Sequence, residues 1–147
     1  MPYIQSIYQL VYATKYRQHT MVKPGRTKLF EFMRAFLVNR KCYVHQINGV
    51  EDHLHIIMHL HPTIALASLI KDLKLASTAF IKQNNLFPDF NGWQDSYAAF
   101  TYSVDSRFNL IRYVRNQEAH HRLTTSLEEL TKLLSENEIE HDKQYLE

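Results

Sequence analysis

Histidine recurs at alternate positions in one short apolar segment. Residues 52–61 read Asp-His-Leu-His-Ile-Ile-Met-His-Leu-His. Because side chains along a β-strand alternate between two faces, a strand here places His53 and His55 together on one face and Leu54 on the other. Two imidazoles on one rigid face can bind a single cation. The spacing indicates a metal-binding strand, and the alternative is a half-buried strand with an incidental histidine face.

A tyrosine and a glutamine form a second candidate pair. A helix is predicted from Arg107 to about His121, opened by Ser106. Its buried side is predicted to consist of apolar residues, namely Phe108, Ile111 and Val114. Because residues four apart on a helix are neighbours, Tyr113 and Gln117 share a face. By residue type alone, Tyr113 is more typical of an amphipathic packing residue than of a nucleophile.

Hydrophobic periodicity predicts the elements that position these residues. Strands are predicted near residues 3–12, 42–47, 53–61 and 97–104, and helices near 27–40, 63–83 and 107–121. Asn48 and Gly49 predict a hairpin turn before the histidine strand. Ser126 to Glu129 predicts a capping box that opens a last helix, with an apolar side of Leu127, Leu130 and Leu134. The order strand, helix, strand, strand, helix, strand predicts the α+β class, with a ferredoxin-like βαββαβ antiparallel sheet.

Composition limits the kind of protein. A length of 147 residues predicts one domain with its own core. The single cysteine, Cys42, cannot form an intrachain disulfide, and neither a signal pattern nor a long apolar span is present, so we expect a cytoplasmic protein without membrane contact. The net charge of +2 is compatible with a nucleic-acid partner without requiring one, and no phosphate-binding glycine loop is found.

Two segments together carry a resemblance to a known family. Residues 52–55 resemble the His-hydrophobic-His signature of HUH endonucleases. Residues 113–121, Tyr-Val-Arg-Asn-Gln-Glu-Ala-His-His, resemble the Tyr-Ile-x-Asn-Gln-x-x-His-His segment of single-tyrosine HUH transposases. These are enzymes of the smallest bacterial insertion sequences and of relatives associated with repetitive extragenic palindromes (REP). Further similar segments are residues 14–17, 49–52, 93–97 and 139–142.

The resemblance implies a site and a reaction. His53, His55 and Gln117 would bind a divalent metal, Mg²⁺ or Mn²⁺, and Tyr113 would be the catalytic nucleophile. Attack on a phosphodiester of single-stranded DNA would give a 5′-phosphotyrosine and a free 3′-hydroxyl, followed by rejoining. The implied partners are single-stranded DNA with subterminal hairpins and a second copy of the chain. In that homodimer, Tyr113 of one subunit would meet the metal ligands of the other.

Supporting roles are assigned to charged residues around these positions. Asp52 and Glu51 are expected to orient a ligand imidazole, as carboxylates beside metal-bound histidine often do. DNA phosphates are expected to contact basic residues, namely Lys15, Arg17, Lys71, Lys74 and Lys82. The remaining histidines of these segments are expected at the rim or without a catalytic role; they are His59, His61, His120 and His121.

Domain boundaries and rival functions complete the expectations. Residues 1–147 are predicted to form one domain, with a catalytic core of about 3–121 and a helical tail of about 126–147. A histidine-triad nucleotide hydrolase needs three alternating histidines, and Ile57 interrupts that pattern. Two alternatives stay open: a replication or mobilisation endonuclease of the HUH class, and a domesticated module that binds single-stranded or hairpin DNA.

Overall fold

The sheet and helices follow the predicted order. The structure, a computed structural model, describes residues 3–121, 124–142 and 146. Its strands are β1 (Ile7–Ala13), β2 (Tyr43–Gly49), β3 (His53–His59) and β4 (Ala98–Tyr102). Its α-helices are α1 (Lys23–Asn39), α2 (Leu66–Asn84), α3 (Arg107–Arg115), α4 (Gln117–His120) and α5 (Ser126–Glu136). Among the described residues, no helix is both long enough and apolar enough to cross a membrane.

The four strands form one antiparallel sheet in the order β2-β3-β1-β4. This order is that of the ferredoxin-like βαββαβ fold, so the predicted α+β class is confirmed. The histidine strand β3 is central, and its His55 lies opposite Val11 of β1. A central strand cannot slip by one residue without exchanging its faces, so the pairing fixes which side chains face the site.

The two faces of β3 are both buried. Leu54 and Met58 belong to the main core with residues of α1 and α2. On the other face, Ile57 packs with Leu110 and Val114 of α3, beside a smaller cluster formed by α5 and β4. The histidines therefore lie between the sheet and the layer of α3, α4 and α5, shielded from solvent.

The predicted turn at Asn48 and Gly49 is wrong. Both residues belong to β2, where they pair with His55 and Leu54, and the chain turns at residues 50–52 instead. Gly49 is needed for close approach, because a Cβ there would overlap the His53 carbonyl oxygen and lie 2.9 Å from Leu54 Cα. The glycine signal thus marked a tight strand contact, not a positive φ.

Several predicted boundaries also shift. α1 begins at Lys23, not Thr27, because Pro24 in the first turn has no N–H that would need a helical partner. β3 ends at His59, and α2 begins at Leu66. The predicted buried side of the tyrosine helix is corrected at one position, since Phe108 is 68% exposed.

The cap of α5 lies one residue earlier than predicted. Thr125 Oγ1 accepts a hydrogen bond from Glu128 N at 3.1 Å and donates to Glu128 Oε1 at 2.9 Å. The N-cap is thus Thr125, which pairs with Glu128, and not Ser126 with Glu129. This shift matters, because Ser126 and Glu129 are released from capping and lie on the buried side of α5.

Candidate active site and metal centre

Two histidines of β3 form the floor of the site. His53 and His55 are 1% and 0% exposed, and their ring centroids lie 5.2 Å apart. Their Nε2 atoms both approach one atom, Glu129 Oε1, at 3.0 Å and 2.7 Å. The strand therefore presents two imidazole nitrogens to a single point.

Each of these rings is oriented by a partner on its other nitrogen. His53 Nδ1 donates to Asp52 Oδ1 at 2.7 Å, and His55 Nδ1 donates to Gln9 Oε1 at 2.8 Å. Gln9 is fixed in turn, since its Nε2 donates to Tyr102 Oη at 2.8 Å. Such partners set the tautomer and ring orientation of metal-binding histidines, so that Nε2 faces the site.

The centre of the site is Glu129, which the sequence analysis missed. Its side chain is buried by α5 against the histidines, with a residue exposure of 3%. Burial alone would raise the pKa of Glu129, but hydrogen bonds from His121, His53 and His55 hold it far below its usual range. One signal existed in the sequence. On α5 the buried residues follow i, i+3, i+4, i+7 spacing, and Glu129 is a charged residue within that pattern; they are Ser126, Glu129, Leu130, Leu133 and Leu134.

Tyr113 reaches the same carboxylate from α3. Its hydroxyl donates to Glu129 Oε2 and lies 3.2 Å from His120 Nε2. The Tyr113 ring centroid is 6.0 Å from that of His55 in the same chain. Burial, followed by the hydrogen bond and charge of Glu129, raises the pKa of Tyr113 above its ordinary value. The phenol is therefore held in its protonated form.

Gln117 lies one helical turn from Tyr113 and is fully buried. Its Nε2 donates to Glu129 Oε2 at 3.3 Å. Its Oε1 is buried and has no hydrogen-bond partner among the described residues. A buried amide oxygen without a donor is costly unless something else satisfies it.

The donor set fits a divalent cation. One ligand atom from each of His53, His55, His121 and Glu129 can be chosen so that all four lie within 4.8 Å of one another. The unpartnered Gln117 Oε1 adds an oxygen donor to these nitrogens and the carboxylate. Neutral imidazole, amide oxygen and carboxylate are suitable ligands for divalent metals. The groups could therefore hold a metal ion.

A cleft opens beside the tyrosine. It has a volume of about 470 Å³ and extends from Tyr113 and His120 along α5 toward Tyr102 of β4. Glu129 also lines it, so the buried carboxylate and the phenol border the same space. The cleft gives a substrate access to the tyrosine from the side of α5.

Of the two carboxylates expected to orient the histidines, Asp52 contacts His53 and Glu51 does not. Asp52 contacts His53 and also accepts from Ser126 Oγ at 2.7 Å. Burial alone would raise the pKa of Asp52, but the hydrogen bonds from His53 and Ser126 hold it at about 2. The carboxylate of Glu51 instead pairs with Arg26 at 3.3 Å, and the 5% exposed Arg26 also pairs with Glu118 at 3.0 Å. Glu51 thus fixes the turn before β3.

The expected DNA-binding residues are dispersed. Arg17 donates to Ser126 Oγ at 2.9 Å and to the Leu146 carbonyl, beside α5. The Lys74 ammonium lies 2.8 Å and 3.0 Å from the carbonyls of Gln94 and Ser96, and so joins α2 to that loop. The other three side chains are exposed; they are Lys15, Lys71 and Lys82.

Of the remaining histidines, two join the site and two do not. His121 Nε2 approaches Glu129 Oε1 at 3.1 Å, and His120 Nε2 lies 3.1 Å from Glu129 Oε2. The sequence analysis expected no catalytic role for His120 and His121. His59 instead pairs with His45 of β2, with 2.8 Å between their Nε2 atoms, and His61 bonds Thr63 beyond the strand.

A sheet with paired histidines on its central strand, facing a tyrosine and a glutamine one turn apart, defines the single-tyrosine HUH class. The family described as "Transposase IS200 like" matches residues 3–117. The chain belongs to this family of transposases, and it is an enzyme.

Individual proteins agree with this assignment. The chain is 25% identical over 115 residues to the ISDra2 transposase TnpA of Deinococcus radiodurans, covering 75% of this chain and 82% of that one. A solved structure from D. radiodurans R1, described as that of a transposase, has a TM-score of 0.62 at 24% identity, covering 79% and 93% of the two chains. The REP-associated tyrosine transposase bound to a REP hairpin has the same fold, with a TM-score of 0.62 at 14% identity over 82% and 72%.

Proposed function

We propose that this transposase cleaves and rejoins single-stranded DNA by transesterification, with Tyr113 as the nucleophile. One observation carries the proposal. The Tyr113 hydroxyl, the Gln117 amide and the Nε2 atoms of His53 and His55 all contact one carboxylate, that of Glu129. Groups that share one carboxylate are also close enough to act on one phosphate.

The reaction exchanges one ester for another. Tyr113 Oη forms a bond to phosphorus as the bond from phosphorus to the 3′-oxygen breaks. The products are a 5′-phosphotyrosine and, once that oxygen takes up a proton, a free 3′-hydroxyl. Because the linkage retains the energy of the diester, a 3′-hydroxyl can attack it in turn, and rejoining needs no nucleotide cofactor.

The phenolic proton needs an acceptor during attack. Glu129 Oε2 accepts it in a hydrogen bond, and His120 Nε2 is 3.2 Å away. Since burial and the charge of Glu129 disfavour the phenolate, we infer that the proton leaves as the new bond to phosphorus forms, not beforehand.

His53, His55 and Gln117 would hold the catalytic cation, Mg²⁺ or Mn²⁺. When bound, the cation supplies Lewis-acid stabilisation of charge on the phosphate. Asp52 and Gln9 keep the two imidazoles facing the cation, as their contacts with Nδ1 indicate. Glu51 supports Asp52 indirectly, through the turn that Arg26 holds.

The proposed partner is single-stranded DNA with a subterminal hairpin. Support comes from the family and from the hairpin bound by the REP-associated neighbour. The exposed Lys15, Lys71 and Lys82 are the proposed phosphate contacts. Lys74 and Arg17 would join them only by exchanging contacts within the chain for DNA.

Covalent capture of DNA tests the proposal. Purified protein is incubated with Mn²⁺ or Mg²⁺ and end-labelled single strands that carry the element's terminal hairpins, then analysed on denaturing gels. We expect a protein–DNA adduct that Tyr113→Phe loses by more than about 10⁴-fold in rate. Tyr3→Phe changes a fully exposed tyrosine and serves as the matched control.

The controls separate chemistry from binding. EDTA or His55→Ala is expected to prevent the adduct while hairpin binding persists. An adduct that survives in Tyr113→Phe, or binding to every hairpin tested without any adduct in the wild type, contradicts the proposal. The second of these results favours the alternative of a domesticated DNA-binding module.

A further inference from the structure

Three imidazoles, not two, approach the Oε1 atom of Glu129. His53, His55 and His121 approach Glu129 Oε1 through Nε2 at 3.0, 2.7 and 3.1 Å. The ring of His121 lies 4.4 Å from that of His53, centroid to centroid. His121 comes from the end of α4 and Glu129 from α5, so the cluster joins two helices to the sheet.

The hydrogen bonds at the Nδ1 atoms of these three rings determine which nitrogen carries the hydrogen. His53 Nδ1 faces Asp52 Oδ1, His55 Nδ1 faces Gln9 Oε1, and His121 Nδ1 faces a backbone carbonyl at 2.8 Å. Carboxylate, amide and carbonyl oxygens accept hydrogen bonds and do not donate them. Each ring therefore carries its hydrogen on Nδ1, and a neutral imidazole has no second one for Nε2.

Four lone-pair atoms consequently face one another. While the three rings are neutral, their Nε2 atoms and Glu129 Oε1 are all acceptors, and acceptors at about 3 Å repel unless positive charge lies among them. Protonating all three rings would place three positive charges on neighbouring imidazoles. A single divalent cation satisfies all four atoms at once.

The separations also suit a cation. With metal–ligand bonds of about 2.1 Å, ligands at right angles are about 3.0 Å apart and tetrahedral ligands about 3.4 Å. The observed distances from Glu129 Oε1 to the three nitrogens are 2.7 to 3.1 Å. Small adjustments of these side chains are enough for coordination.

We infer that His121 and Glu129 are cation ligands in addition to His53, His55 and Gln117, giving a site with three histidines, one carboxylate and one amide oxygen. Imidazole nitrogen binds first-row transition metals well, whereas Mg²⁺ prefers oxygen ligands. The donor set therefore selects a transition cation such as Mn²⁺ over Mg²⁺. The inference deepens the proposed function and rests on it for the use made of the cation.

A second consequence is structural. If Glu129 binds the cation, the metal joins α5 to β3, because the other ligands lie on the sheet and α4. Bound metal should then slow exchange of the α5 backbone amides. This effect depends on Glu129 and can be measured without any DNA.

Metal binding to the DNA-free protein tests the inference. Mn²⁺ and Mg²⁺ are titrated by calorimetry into the wild type, Glu129→Gln and His121→Ala, with Glu31→Gln and His61→Ala as matched controls. We expect each ligand variant to weaken Mn²⁺ binding at least about 10-fold and the controls to stay within about 2-fold. The wild type should bind Mn²⁺ at least about 10-fold more tightly than Mg²⁺.

Spectroscopy identifies the ligands directly. Pulsed EPR of bound Mn²⁺ should show three imidazole nitrogens in the wild type and two in His121→Ala, and hydrogen exchange should show metal protection of α5 that Glu129→Gln loses. Two nitrogens in the wild type, or unchanged Mn²⁺ affinity in both ligand variants, overturns the inference. If the inference is overturned but adduct formation still depends on Tyr113, the proposed function stands. If the wild type shows three nitrogens but forms no adduct, the inference stands and the proposed function is contradicted.

Discussion

At the scale of single residues, Glu129 connects the parts of the site. Its Oε1 faces the histidines, and its Oε2 receives the hydroxyl of Tyr113 and the amide of Gln117. A buried carboxylate is stable only with such partners, since an unpaired charge in the interior costs several kcal/mol. One side chain thus contacts both the proposed nucleophile and the proposed metal ligands.

Gly49 controls the position of His53 in a different way. Replacing it with alanine puts a Cβ against the His53 carbonyl oxygen, so the β2–β3 pair must separate or shift. We expect Gly49→Ala to lower the free energy of unfolding by about 2 kcal/mol and to weaken metal binding. Urea unfolding followed by circular dichroism measures the first effect.

The control is Gly92→Ala, at a position where a Cβ meets no atom within 4 Å but φ is +109°. It should reduce stability through backbone strain of about 1 kcal/mol and leave metal affinity unchanged. If Gly49→Ala retains wild-type metal affinity and stability, the close approach of β2 to His53 does not position the site.

At the scale of elements, the break between α3 and α4 and the N-cap of α5 determine which side chains face the site. α3 ends at Arg115 and α4 begins at Gln117, with Asn116 between them and Asn48 of β2 donating to the Arg115 carbonyl at 2.9 Å. The break lets Gln117 lie buried while His120 and His121 reach Glu129. A straight helix was the sequence expectation.

A histidine pair on β2 and β3 predicts a pH effect outside the site. The Nε2 atoms of His45 and His59 lie 2.8 Å apart. Burial lowers the pKa of both histidines, and the charge of Arg107 lowers each further; for His45 the charge of His59 also contributes. Below a pH of about 6.5 these two histidines then bind more protons in the unfolded chain than in the folded protein. Stability contributed by this pair is therefore present near pH 7 and is lost as the pH falls toward the lowered pKa values.

Thermal unfolding at pH 7.5 and pH 5 measures this effect. We expect His59→Gln to reduce the fall in Tm between the two pH values by about 1 to 2 °C relative to the wild type. His61→Gln, at a half-buried histidine bonded to Thr63 beyond the strand, is the control and should show the wild-type fall. An unchanged fall in His59→Gln would mean that the pair does not sense pH.

At the scale of the whole molecule, one chain brings the tyrosine to its own histidines. Tyr113 and His55 have ring centroids 6.0 Å apart, and both contact the same Glu129. The homodimer expected from the family resemblance stays a prediction. A partner's tyrosine is not required to bring these groups together.

Mixing inactive variants distinguishes the two arrangements. Tyr113→Phe and His55→Ala are combined, allowed to exchange subunits, and tested for adduct formation. Because Tyr113 lies beside the proposed metal ligands of its own chain, we expect less than about 1% of wild-type activity, whereas a composite site would restore about a quarter to a half of it. Wild type mixed with either variant shows that the variant does not inhibit, and recovery in the double-variant mixture supports delivery between subunits.

The sequence predicted the fold well because its signals are local. Alternation in residues 53–59 and three-to-four spacing in α1 and α2 report which side of each element is apolar, and the order of elements leaves few ways to pair four strands. Errors fell where a local signal has two meanings. Gly49 suited either a turn or a close contact, and Ser126 or Thr125 could each cap α5.

The sequence by itself determined the order of elements along the chain, the shared face of His53 and His55, and the one-turn spacing of Tyr113 and Gln117. Only the tertiary structure decided that Glu129 and His121 join them, since neither the cap register of α5 nor the break at Asn116 follows from local pattern. Contacts between residues more than seventy positions apart depend on how layers pack, and packing is set by the whole core. The proposed metal site therefore depends on the assembled layers, whereas the positions of His53 and His55, the first two of its proposed ligands, depend on one strand.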